Sequence, residues 1–346
     1  MKMTTNIANR VLVASIAVVM PLSLAACSSN GDEKSGSASN ATQGDGGSND
    51  RPVAPPEKAE PIKASLDVTD PKGEQVKLDK VPERVVCLTG ICDDLLIELG
   101  LKPVATTSPE LLKDDHFLGA REGRKIPVVK GGFGSEDVGD IASYKPDLVI
   151  GLSGVHDGLK AGVEKVAPMW TMGPETVEDS VGYLRSMSSL MDRTSEGEKA
   201  ENDFYDAVRE ARKTADDKNL LNTEAVAMYT SSAGTGVNTR NELLGELLAN
   251  VYAYPWKGKS DDPMQAGQYS VEEILDVNPE VAFVQSFVFA PGDKTLTEQW
   301  KENPVWKQVD AVKNDNVHEV NVGVWAEGRG PRALSVALDE AVNASS

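Results

Sequence analysis

The sequence predicts an α/β protein of two βα-rich lobes separated by a helical connector. Three observations carry that prediction. Short apolar strand patterns alternate with helical patterns in both halves of the chain. The stretch from Thr176 to Lys218 holds no strand pattern at all. The chain also has 346 residues, more than the roughly 250–300 that a single core usually accommodates.

The folded part is preceded by two segments of different character. Lys2 and Arg10 are the only charges before residue 27, and an apolar run from Val11 to Leu24 follows them. A basic start, a short apolar stretch and small residues make an export signal over residues 1–26. The run is shorter than the about 20 residues of a membrane span. It ends in Leu24-Ala25-Ala26-Cys27, which resembles a bacterial lipobox and implies that Cys27 carries a lipid. Residues 27–61 are rich in Gly, Ser and Asn, then in Pro (Pro52, Pro55, Pro56, Pro61). Such a segment buries too little apolar surface to offset its chain entropy and is expected to be a flexible tether.

Order is expected from Ile62. Residues 64–68 and 75–78 alternate around the turn Asp70-Pro71-Lys72-Gly73 and predict a hairpin. Strands follow at residues 84–88, 103–106, 147–150 and 168–171, with a helix at 93–99 that Gly100 closes. These elements form an N-terminal lobe over 62–174. Residues 175–219 are connector and surface helices. Leu184, Met187, Leu190 and Met191 recur at helical spacing. Ser195-Glu196-Gly197-Glu198 fits a capping box, and the charged run beyond it reads as a solvated surface helix. The C-terminal lobe, 220–346, has strands at 225–229, 281–284 and 317–320 and helices at 242–248, 271–275 and 333–342.

Composition excludes several functions. The chain has 54 acidic against 35 basic residues and a net charge of −19, the wrong sign for nucleic acid, which needs clustered Lys and Arg. Loss of Lys2 and Arg10 with the signal takes −19 to −21. No Gly-x-Ser-x-Gly elbow, Walker loop, HExxH or complete Gly-x-Gly-x-x-Gly is present, so no enzyme class is favoured. Gly234-Thr235-Gly236 reads as a flexible loop fragment. Three His give no direct metal site; Asp114-Asp115-His116 lacks further ligands. Cys87 and Cys92 end a strand and precede a helix, and export leaves a local disulfide chemically allowed.

Four segments together resemble the siderophore and cobalamin class of ABC-transporter substrate-binding proteins. They are Val68-Thr69-Asp70 through Pro82-Glu83-Arg84-Val85-Val86; Ile141-Ala142-Ser143-Tyr144-Lys145-Pro146-Asp147-Leu148-Val149-Ile150; Tyr269-Ser270-Val271-Glu272-Glu273-Ile274-Leu275 to Asn278-Pro279; and Asn303-Pro304-Val305-Trp306 to Val317. The resemblance covers almost all of residues 62–346. It implies two Rossmann-like lobes joined by a long connector helix, as in class III periplasmic binding proteins. It also implies a monomer, lipid-anchored on the outer face of the bacterial cell membrane, that hands a small iron chelate to an ABC permease. No intrinsic cofactor is implied, and the ligand expected is a ferric siderophore, with haem or cobalamin as the alternative.

Ligands of open α/β sheets bind beyond the carboxyl ends of the strands. That rule selects loops carrying Phe133, His156, Tyr229, Arg240, Trp256, Phe287, Phe289, Trp325, Arg329 and Arg332. Aromatic faces plus planar Arg cations suit a bulky anionic chelate, with Arg240, Arg329 and Arg332 reversing the sign of the cleft. His156 is either a haem ligand with Tyr229 or a hydrogen-bonding loop residue. The family docks on its permease through one surface Glu per lobe. Glu272 stands at the second-lobe position. The first-lobe position is Gly139, leaving Glu136, Asp137 and Asp140 as substitutes.

Overall fold

The computed structural model describes residues 51–231, 234–288 and 292–344. The expected signal segment, Cys27 and Phe289 lie outside the described residues. Among the described residues, no helix is long and apolar enough to cross a membrane.

The first lobe opens with the hairpin β1 (Asp67–Thr69) and β2 (Gln75–Lys77). Asp70 closes its turn by accepting the N–H groups of Lys72 and Glu74 at 2.9 Å, and its second oxygen takes the Trp170 indole N–H at 3.0 Å. Next come β3 (Val85–Cys87), β4 (Ala105–Thr106), the small hairpin β5 (Gly131–Gly132) and β6 (Ser135–Glu136), β7 (Leu148–Leu152) and β8 (Met169–Met172). The order β4-β3-β7-β8 is parallel throughout. Successive side chains of a strand face opposite ways, and this sheet separates two cores accordingly. Val85, Cys87, Leu148, Ile150 and Trp170 pack on the side of the hairpin and the helix Gly90–Glu98. Val86, Val149 and Met169 pack on the other, with Ile141 and Val163.

The second lobe has β9 (Ala225–Ser231), β10 (Gly234–Val237), β11 (Val281–Ser286) and β12 (Val317–Glu319) in the order β10-β9-β11-β12. β9, β11 and β12 are parallel, and β10 returns antiparallel on β9. Reading Gly234-Thr235-Gly236 as a loose loop therefore misses a strand. Gly236 is required because the Tyr229 ring crosses it, and a side chain there would overlap the phenol.

Two helices connect the lobes. Thr176 and Asp179 form a capping box on the first, Val177–Leu190. It buries Tyr183, Leu184, Met187 and Leu190 in the first lobe. The second, Thr194–Asp217, starts after Arg193 with no side-chain cap, so the expected capping box at Ser195 is not formed. It is also not merely a solvated surface helix. Ala200 packs with the first lobe, whereas Phe204, Val208, Ala211 and Ala215 pack with the second. These residues recur every three or four positions, one face of a helix. At 1.5 Å per residue the helix runs about 36 Å, long enough to serve both cores. Gly197 lies against Ser188 where the two helices pass.

Contacts begin before Ile62. The proline segment lies along the connector pair, held by main-chain carbonyls. Arg212 Nη2 donates to Pro52 O and Arg209 Nη1 to Pro56 O, both at 2.6 Å, and Arg185 Nη1 to Glu60 O at 2.9 Å. Ala59 N–H donates to Asn202 Oδ1 at 2.8 Å and is buried. Prolines leave carbonyls without ladder partners, and the three Arg residues supply donors. The tether expected to reach residue 61 thus gives way to docked chain at about residue 52.

Candidate interlobe binding site

The segments that follow the strands' carboxyl ends in the two lobes meet. After β3 comes the helix Gly90–Glu98, and after β4 comes Ser108. Both touch the single π-helical turn Gly323–Gly328 that follows β12. An added Cβ on Gly90 would come within 2.6 Å of Glu327 O, so only Gly permits this approach. The Ser108 hydroxyl donates to the Glu327 carboxylate.

Arg329 sits at this junction in a left-handed conformation, φ 56°. Its Nε donates to Ala326 O at 2.8 Å, and its own carbonyl accepts from Ser180 Oγ of the connector at 2.7 Å. Burial lowers the pKa of its guanidinium, against the pull of Glu242 and Glu327. Burial raises both carboxylates in turn, with Arg329 opposing. Glu242 also accepts the Thr239 N–H at 2.7 Å and bonds Asn238, which receives Gln285 Nε2 at 2.6 Å. Tyr229, its hydroxyl pKa raised by burial and then by Glu242, lies beside this group. Arg329 therefore feels the charge of two carboxylates.

Several expected cleft residues lie elsewhere. Trp256 is 1% exposed, and its Nε1 donates to Ala225 O at 2.7 Å inside the second core. Trp325 is also core: its ring stacks on Phe283 at 4.9 Å, and Nε1 donates to Glu340 at 2.6 Å. Arg332 is held by Glu98 at 2.6 Å and donates to His116 O at 3.1 Å. His156 is fully buried. Leu152 N–H donates to its Nδ1 at 2.8 Å, so Nε2 carries the ring proton and donates it to Glu136 at 3.2 Å. Neither nitrogen is left for a haem iron, and Glu136, buried in that pair, offers no docking charge. Asp140 is occupied by Lys130 at 3.0 Å. Arg240 seats its loop, with Nη1 donating to Tyr254 O at 3.3 Å.

Phe133 and Phe287 do follow strand ends. Phe133 is 74% exposed at the tip of the β5–β6 hairpin, its ring edge-on to His156 at 5.7 Å. Phe287 is partly buried directly after β11. Glu272 is exposed in the first turn of the helix Val271–Val277. Among the described residues no group of three or more His, Cys, Asp or Glu is arranged to hold a metal ion. An open groove of about 760 Å³ lies among Pro61, Ile62, Asp70, Pro71, Gly182 and Arg185.

Polar contacts cross the seam between the lobes. Asp94, fully buried on the first lobe's helix, accepts the N–H groups of Gly330 and Ala333, each at 3.0 Å, and so caps the second lobe's final helix, Pro331–Ala344. Asp114 accepts from Asn321 across the same seam at 2.9 Å. Cys87 and Cys92, at the root of the capping helix, are joined with a Cα separation of 5.5 Å, inside the disulfide range of about 4.4–6.8 Å. Glu242 and Glu327, which sequence reasoning passed over, carry a signal in hindsight: each is a carboxylate two residues from a noted strand-end Arg.

The family described as periplasmic binding protein matches residues 85–321. The Fe(3+)-citrate-binding protein YfmC of Bacillus subtilis is 25% identical over 72% of this chain and 76% of its own length. The probable siderophore-binding lipoprotein YfiY of the same organism is 25% identical over 75% and 81%. Among solved structures, the petrobactin-binding protein YclQ of Bacillus subtilis superposes with a TM-score of 0.65 at 21% identity, covering 82% of this chain and 99% of that one. That likeness shows the fold.

Proposed function

The chain belongs to the periplasmic binding protein family, solute-binding proteins rather than enzymes, and on that premise we propose that it captures a ferric siderophore between its lobes and delivers it to an ABC importer permease. The meeting of strand-end segments from both lobes, Gly90 and Ser108 against Glu327, carries the reading. Ligands of such sheets bind at that end. The printed functions of YfmC and YfiY support the iron-chelate class. Titration of the purified protein, followed by quenching of tryptophan fluorescence, is expected to saturate below micromolar with at least one ferric chelate. Saturation by haem or cobalamin alone would overturn the siderophore reading.

Membrane placement and docking belong to the same proposal. Cys27 is lipidated, and residues 27–51 tether the body. Glu272 is the second-lobe docking acid. On the first lobe Asp137 takes that part, as the exposed N-cap of the helix Val138–Ser143; Glu136 is buried and Asp140 is paired. Glu272→Lys is expected to reduce cellular iron uptake at least tenfold with chelate affinity unchanged. Uptake at the unsubstituted rate would remove Glu272 from the interface.

A further inference from the structure

Resting on the reading of this cleft as a ferric-chelate site, we infer that Phe133 is the first-lobe surface that meets the apolar frame of the chelate, its rings or methylene arms. Glu136 and His156 are positioning residues that hold this ring without touching the ligand. The juxtaposition that carries this is an exposed aromatic ring at the tip of the β5–β6 hairpin, seated on the buried His156–Glu136 pair.

Both the hairpin and the His156 loop leave the carboxyl end of the first sheet. Val128 bridges Thr106 in parallel, with Thr106 N–H donating to Pro127 O at 3.0 Å and Val129 N–H to Thr106 O at 2.9 Å. The hairpin follows that extension of the sheet. His156 closes the turn after β7, its main-chain N–H donating to Leu152 O at 2.9 Å. Ligands of such sheets bind at this end. Phe133 is 74% exposed, and among the described residues no other Phe, Tyr or Trp is classed as exposed. A ring left in water forgoes the stabilisation that burial gives the others, wholly or in part.

The tip is fixed rather than loose. Glu136 Oε1 accepts the Gly134 N–H at 3.1 Å and the His156 Nε2–H at 3.2 Å. Asp137 N–H closes the hairpin's base on Lys130 O at 2.8 Å. Gly134 has φ 75°, and an added Cβ there would lie 3.1 Å from Val155 Cγ1, so the tip sits tight on the His156 loop. The imidazole is fixed in turn by Leu152 N–H, and the Phe133 ring meets it edge-on, 81° between planes. Glu136 Oε2 is buried with no hydrogen-bond partner among the described residues. Burying a carboxylate is costly, and here it ties two donors beside one exposed ring. A ring placed before binding loses little entropy on contact. Chelate rings or methylenes laid on it gain dispersion and apolar burial. Ferric citrate, presenting mainly carboxylate and hydroxyl oxygens, offers it little.

Calorimetric titration of the intact protein with a ferric tris-catecholate, a ferric tris-hydroxamate and ferric citrate tests the inference. F133A is expected to weaken binding of the tris-catecholate or tris-hydroxamate, whichever the protein takes, by at least about tenfold. Its melting temperature should stay within about 2 °C of the unsubstituted protein, since the ring is exposed. E136A should weaken the same chelate, and F133A/E136A should lose no more than F133A alone, because Glu136 acts through the ring. If E136A misfolds, F133A decides alone. Unchanged affinity in F133A overturns the inference, and if cellular iron uptake falls all the same, the ring belongs to the permease face. Additive losses in the double variant, or binding confined to ferric citrate, also overturn it. Each of these leaves the proposed function standing. Binding of no ferric chelate of any class sinks both.

Discussion

Trp256→Ala is expected to lower the free energy of unfolding by about 3–5 kcal/mol, the range for emptying a buried Trp or Phe site, while the folded protein keeps its ligand affinity. The indole is enclosed, with Nε1 satisfied by Ala225 O at 2.7 Å and its ring edge-on to Tyr269 at 5.2 Å. Removing it opens a cavity beside Tyr254, whose hydroxyl receives Ala227 N–H at 3.2 Å and donates to Asn238 O at 2.7 Å. Two effects add: lost apolar burial and an orphaned carbonyl at Ala225. Urea unfolding measures the first quantity and calorimetric titration the second. A stability loss under about 1 kcal/mol with a tenfold loss of affinity would return Trp256 to the cleft.

The misplacement of Trp256 and Trp325 shows where sequence reading stops. Strand and helix patterns located both sheets, the connector and the strand-end loops, because burial imposes a period of two or 3.6 on the residues themselves. Direction within a loop carries no period. Trp325 and Arg329 are four residues apart on one turn, yet the first enters the core against Phe283 and the second stays at the junction. Tertiary pairs such as His156 with Glu136, 20 residues apart, likewise leave no local trace. The buried stripe of the second connector helix was legible in principle; Ala200, Ala211 and Ala215 made it look polar, since small residues mark close packing as well as exposure. The proline segment was misread for the opposite reason, because its partners are Arg side chains about 125 to 160 residues away.

A strong pH dependence is expected from Asp94. Burial, with repulsion from Glu98, pushes its carboxyl up to about 7, against the Ala333 and Gly330 N–H groups and Arg332, which favour the charged form. Its neighbour Asp93 is also raised by burial, with Glu327 and Asp94 adding and the Thr106 hydrogen bond opposing. Unfolded, Asp94 titrates near 3.9. The folded protein therefore holds a proton that the unfolded chain releases. This contribution to stability is full below about pH 4, declines as pH rises and is gone above about 7. It amounts to a few kcal/mol as an order of magnitude. Asp94→Asn retains an acceptor for the final helix and removes the titration. It is expected to flatten the fall in melting temperature between pH 5 and 8 and to exceed the unsubstituted protein at pH 8. Asp94→Ala leaves two helix N–H groups uncapped and should cost about 1–3 kcal/mol at pH 5 as well. Parallel slopes for the unsubstituted protein and Asp94→Asn would show that Asp94 does not titrate in this window. Because the cap spans the seam, loss of it in Asp94→Ala should also raise protease sensitivity between the lobes. The substitution thus reads out whether the first lobe's helix fixes the second lobe's final helix in place.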